Sequence, residues 1–140
     1  MNGGVFLESR YFRHNRRKYN LKAHIVIVTK YRKKVLKGTL AEEVKRIITE
    51  ICIAEGNGIV ALETDRDHVH ILISYDTTDR LSDIVKGLKQ KTTHILWENH
   101  PDYLRRFYWK KRIFWSDGYF ACSIGDVSTS IIQKYIETQG

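Results

Sequence analysis

The chain has 140 residues, 42% of them hydrophobic and 29% charged, which suits one self-folding domain and excludes an intrinsically disordered chain. Lysine and arginine total 24 against 16 aspartate and glutamate, and the resulting net charge of +8 favours a polyanionic partner through phosphate contacts and counterion release. The longest apolar runs, at 25–28 and 71–73, are strand-sized and too short to cross a membrane, and the N-terminus lacks the apolar core of a secretion signal, so a cytoplasmic location is expected.

In chain order, residues 1–20 are polar, basic and aperiodic, and read as an N-terminal arm carrying Arg16 and Arg17. Residues 21–29 predict a first strand, followed by the basic run Lys30-Tyr31-Arg32-Lys33-Lys34. Thr39, with Glu42 three residues on, has the spacing of a capping box, and Val44, Ile47, Ile48 and Ile51 then recur at helical intervals up to Gly56-Asn57-Gly58. Residues 59–64 predict a second strand, 65–67 a tight turn and 68–75 a third strand. A second helix over 81–98 follows, with Leu81, Ile84, Val85 and Leu88 on one apolar face. Pro101 marks a break, and the aromatic and basic stretch 102–118 is expected to be irregular or paired at a sheet edge. Residues 119–124 predict a fourth strand, 125–126 a turn, and 128–139 a last helix. Strand–helix–strand–strand–helix–strand, with one helix added, is the order of an α+β, ferredoxin-like antiparallel sheet in a single domain. Cys52 and Cys122 have no CxxC spacing and read as reduced, buried residues.

The basic residues are interleaved with aromatics, as in Arg105-Arg106-Phe107-Tyr108-Trp109-Lys110-Lys111-Arg112. Cations track a phosphate backbone while aromatic faces stack on unpaired bases, so the mixture suits single strands or hairpins. His68-Val69-His70 opens the third strand, where residues i and i+2 share a face about 7 Å apart and could converge on one divalent ion. A surface pair of hydrogen-bonding histidines is the bland alternative, and a histidine-triad hydrolase is excluded by Leu72. Tyr135 and Gln139, four residues apart, share one face of the last helix. A tyrosine becomes a useful nucleophile only when activated, and an amide oxygen is an acceptable hard ligand beside two imidazoles. Taken alone, Tyr135 would simply close the core near the C-terminus. His24, in the first strand, reads as a core or interface residue, and Asp67 as a turn former or a partner that orients a histidine.

Four blocks together resemble the single-tyrosine HUH transposases of small insertion sequences. His24-Ile25-Val26-Ile27-Val28-Thr29-Lys30-Tyr31-Arg32 is similar to the family's first strand and basic turn, and Asp67-His68-Val69-His70-Ile71-Leu72-Ile73 to its HUH strand. Residues 115–125 resemble the strand before the catalytic helix, and 132–139 that helix itself. The resemblance implies that His68, His70 and Gln139 hold a Mg²⁺ or Mn²⁺ ion, and that Tyr135 cleaves and rejoins single-stranded DNA through a 5′-phosphotyrosine. It implies imperfect hairpins at element ends as substrate, and a homodimer whose active sites can be completed in trans. Candidate DNA contacts are Arg16, Arg17, Lys30, Arg32, Lys33, Lys86, Lys89, Lys91, Arg105, Arg106, Lys110, Lys111 and Arg112. A relative that processes repeated genomic hairpins, or a noncatalytic module binding single-stranded nucleic acid, are the alternatives.

Overall fold

The computed structural model describes residues 21–123 and 129–139. The expected N-terminal arm with Arg16 and Arg17, and the turn expected at 125–126, lie outside the described residues. In chain order the elements are β1 (Leu21–Val28), α1 (Gly38–Ala54), β2 (Gly58–Thr64), β3 (His68–Tyr75), α2 (Leu81–Asn99), α3 (Pro101–Arg105), β4 (Phe120–Ser123) and α4 (Thr129–Thr138), with a single 3-10 turn at Lys30–Arg32. The strands form one four-stranded sheet in the order β2-β3-β1-β4, and all neighbouring pairs are antiparallel. Each helical crossover skips a strand, as in the ferredoxin-like split βαβ arrangement read from the sequence.

Alternation along the central strands sorts the two faces of the sheet. Ala23, Ile25 and Ile27 of β1 and Val69, Ile71 and Ile73 of β3 are buried on one face, packed with Val44, Ile47 and Ile48 of α1 and Val85, Leu88 and Leu96 of α2. Burying one such aliphatic side chain contributes about 1.5–3 kcal/mol. On the opposite face Val26 and Val28 meet Ile136 of α4, with Phe120 and Tyr135 packed at the margin. Strand β1 is therefore buried on both sides from Ile25 to Val28.

Three local expectations change. Helix α1 begins at Gly38 with Lys37 in the cap position and no side-chain cap hydrogen bond, so Thr39 lies inside the first turn and does not cap it. Backbone bonds set the entry instead: the Leu36 amide donates to the Arg66 carbonyl at 3.0 Å. The stretch 102–118 is not wholly irregular, because Pro101 starts the short helix α3. Proline suits this position, having a fixed φ and no amide to leave unpaired. The stretch returns to the sheet through a bridge between Thr29 and Trp115. Finally, Cys52 is buried but Cys122 is only half-buried, and both are free thiols. No helix among the described residues is long and apolar enough to cross a membrane.

Candidate active site

His68 and His70 flank the buried Val69, so both imidazoles project from the face opposite the main core. In the β1–β3 ladder His68 stands opposite Val28 and His70 opposite Val26. Directly paired residues of an antiparallel ladder share a face. The histidines therefore flank the two valines on which α4 rests. The Nδ1 of His68 is 2.8 Å from Oδ1 of Asp67. A carboxylate on Nδ1 fixes the ring and leaves Nε2 as the lone-pair donor, the usual preparation of a metal-ligating histidine. The other carboxylate oxygen of Asp67 forms an ion pair with Arg32, 3.5 Å from its Nε and without a hydrogen bond.

His24 lies on this same face, not in the core. Its Nδ1 is 2.8 Å from Nε2 of His70, with ring centroids 5.0 Å apart. One nitrogen of the pair carries the shared proton, and an ion seated on Nε2 of His70 would take that proton's place. Burial, with the His24 charge next in weight, holds His70 below the ordinary histidine range. Its imidazole is thus neutral near pH 7, the form that donates a lone pair. The signal for His24 was present in the sequence: it has the parity of Val26 and Val28 along β1, but only the ladder register shows that this parity faces His70.

Helix α4 carries Tyr135, Gln139 follows its last residue, and both side chains reach Gly118. A Cβ on Gly118 would stand 3.6 Å from Oη of Tyr135 and 3.8 Å from Oε1 of Gln139, so both atoms converge on bare glycine backbone. The Tyr135 ring leans on Phe120 at 5.5 Å between centroids. Among the described residues its hydroxyl is buried without a hydrogen-bond partner, and burial pushes its pKa up to about 12. Nothing in the periodicity of the sequence pointed to Gly118. Lys89 fixes this glycine's loop by donating to the Asp117 carbonyl at 2.9 Å and the Gly118 carbonyl at 3.3 Å. Arg32 reaches the C-terminal end of the helix, its Nη1 lying 3.5 Å from the Glu137 carbonyl. A cation there meets the negative end of the helix dipole. Arg32 and Asp67 consequently connect the tyrosine helix to His68.

The remaining candidate DNA contacts are dispersed. Lys91 pairs with Glu55, Arg105 with Asp102, Arg112 with Glu98, and Lys30 with Asp117. Arg106 lies over the Tyr103 and Phe107 rings. Lys86, Lys110 and Lys111 are exposed. Among the described residues no group of three or more His, Cys, Asp or Glu side chains is placed to hold an ion. Two imidazoles and an amide oxygen are donors that could hold a divalent cation, and Asp67 bracing one of the rings would suit that use.

A family model described as IS200-like transposase matches residues 17–139. The chain is 31% identical over 121 residues to the ISDra2 transposase TnpA of Deinococcus radiodurans, covering 86% of this chain and 85% of that protein. It is 31% identical over 122 residues to the transposase for insertion sequence element IS200 of Salmonella typhimurium, covering 87% and 78%. A crystal structure described as a transposase from Deinococcus radiodurans R1 superposes with a TM-score of 0.78 at 31% identity, over 85% of this chain and 90% of that one. A REP-associated tyrosine transposase bound to a REP hairpin shares the fold, with a TM-score of 0.55 at 13% identity over 85% and 64% of the two chains. Because the family model runs from the basic arm to the residue before the last, this chain belongs to the IS200-like transposases.

Proposed function

We propose that this transposase cleaves and rejoins single-stranded DNA through Tyr135. The observation that carries the reading is the Tyr135 hydroxyl, buried, without a partner among the described residues and facing Gly118 with Gln139, on a helix resting on the valines that flank His68 and His70. His68, His70 and Gln139 would hold Mg²⁺ or Mn²⁺. When bound, such an ion polarises the scissile phosphate and lowers the cost of ionising a nearby hydroxyl. Tyr135 is poised for attack but inert alone, since a phenol with a pKa of about 12 is almost wholly protonated near neutrality.

The chemistry balances without ATP. Oη of Tyr135 bonds to phosphorus as the P–O3′ bond breaks; Oη loses its proton and the departing 3′ oxygen gains one. Attack by a 3′ hydroxyl on the 5′-phosphotyrosine then reverses the exchange and frees the phenol. Asp67 keeps the His68 ring in place, and Arg32 links Asp67 to the C-terminal end of α4. Imperfect hairpins at the element ends are the substrate in this reading. The hairpin in the REP-associated neighbour supports that choice. Two copies work as a dimer, the tyrosine helix of each able to serve either histidine pair.

A covalent-trapping assay tests the reaction. Hairpin oligonucleotides from the element's ends, incubated with protein and Mg²⁺ or Mn²⁺, should give a protein–DNA adduct on denaturing gels. EDTA and Tyr135→Phe should each abolish it. Tight binding with no adduct, for every end sequence and metal tried, would make this chain a binding relative and remove Tyr135 from its role.

A further inference from the structure

The turn after β1 is conformationally unusual. Tyr31 and Arg32 both have positive φ, 59° and 52°, a left-handed pair that non-glycine residues rarely adopt. Such a conformation persists only where surrounding bonds impose it. Here the Thr29 hydroxyl donates to the Lys33 carbonyl at 2.7 Å, and the buried Tyr108 hydroxyl donates to the Lys30 carbonyl at 2.8 Å. The result aims neighbouring side chains at different partners. Arg32 goes to Asp67 and the tyrosine helix, while Tyr31 lines a cleft of about 340 Å³ with Lys33, Phe107, Trp109, Lys110 and Lys111.

Trp109 is 68% exposed and Tyr31 57% exposed, the fractions expected of recognition surfaces and not of a core. Among the described residues, those lining the cleft include three lysines and no carboxylate. The Lys30 ammonium lies 5.5 Å from the centroid of the Tyr31 ring. Aromatic faces beside three lysines match a stacked base with its flanking phosphates, a chemistry indifferent to base identity. An acidic peptide would use the lysines but leave the rings exposed.

We propose that this cleft binds an unpaired nucleotide of single-stranded DNA, with the base on Tyr31 and Trp109 and the phosphates on Lys33, Lys110 and Lys111. The proposal deepens the strand-transfer reading and rests on it for the identity of the polymer. Since Arg32 adjoins Tyr31, the cleft is where a strand leading to Tyr135 would be gripped.

The test compares an oligo-dT single strand with a blunt hairpin lacking any single-stranded flank, using the whole chain. Trp109→Ala should weaken oligo-dT binding about 10-fold and leave the blunt hairpin within about twofold. Trp109→Phe should restore most of the loss, and an exposed residue should tolerate both changes without a shift in thermal unfolding. Quenching of tryptophan fluorescence by oligo-dT should diminish in Trp109→Phe. The proposal falls if Trp109→Ala leaves oligo-dT binding intact or weakens both probes equally. It also falls if the variant alters only self-association in sedimentation, which would make the cleft a contact between copies. The two readings fail separately. A Tyr135 adduct without any Trp109 effect sinks the cleft alone, whereas Trp109-dependent oligo-dT binding without an adduct sinks the chemistry alone.

Discussion

At Tyr135 the fold accepts a cost that phenylalanine would avoid. A buried hydroxyl without a partner forfeits its bonds to water and gains none in return. Tyr135→Phe should therefore leave the melting temperature unchanged or raise it by about 2–5 °C while the covalent adduct disappears. A marked loss of thermal stability would show that the hydroxyl is bonded in the folded protein. Gly118 gives a graded counterpart. An alanine Cβ would sit in ordinary van der Waals contact with Oη of Tyr135 and Oε1 of Gln139, so Gly118→Ala should fold normally and keep adduct formation within about tenfold of wild type. Gly118→Leu, reaching past both atoms, should abolish the adduct while oligo-dT binding persists. Equal adduct yields in the two variants would mean that this close approach is unimportant.

Among the elements, the stretch after α2 depends most on side chains for its shape. Trp97 of α2 donates its indole N–H to the Ile113 carbonyl at 2.9 Å, and Trp115 donates back to the Thr92 hydroxyl at 2.7 Å. Trp97→Phe leaves that carbonyl without its donor and should cost about 1–3 kcal/mol in chemical denaturation. A change below a few tenths would place the stretch under the control of its backbone bonds. These cross-links also explain what could be read beforehand. Strand β3 was legible to the residue, from His68 to Tyr75, because Val69, Ile71 and Ile73 alternate cleanly into one core. Helix α2 was legible to within one residue for the analogous reason at helical period. Helix α3 was not, since Pro101–Arg105 is too short to carry a period. The HUH pair and the shared face of Tyr135 and Gln139 are local spacings, which a sequence displays directly. The approach of His24 to His70, the grip of Arg32 on Asp67 and Glu137, and the glycine under Tyr135 all depend on which strands become neighbours. No local pattern records that choice.

Across the whole molecule, Asp67 is the junction between the histidine strand, the turn after β1 and the tyrosine helix. It is 9% exposed, bonds His68, and holds the Arg32 that reaches Glu137. Asp67→Asn keeps the shape but removes the charge that both partners use. It should weaken Mn²⁺ binding, measured by calorimetry, about 10- to 100-fold. Unchanged affinity would reduce Asp67 to a turn former. The two apolar clusters divide the same molecule unequally. Among the described residues the face under α1 and α2 holds most of the buried side chains, whereas α4 meets Val26 and Val28 through Ile136, with Phe120 and Tyr135 at the edge. With a patch of this size among the described residues, α4 should open at a free energy below that of the sheet. The amides of α4 should therefore take up deuterium together, long before those of β1 and β3, and low denaturant should speed that uptake while the sheet stays protected. A nucleophile carried on the element that opens first can leave its own histidines without unfolding the protein around them.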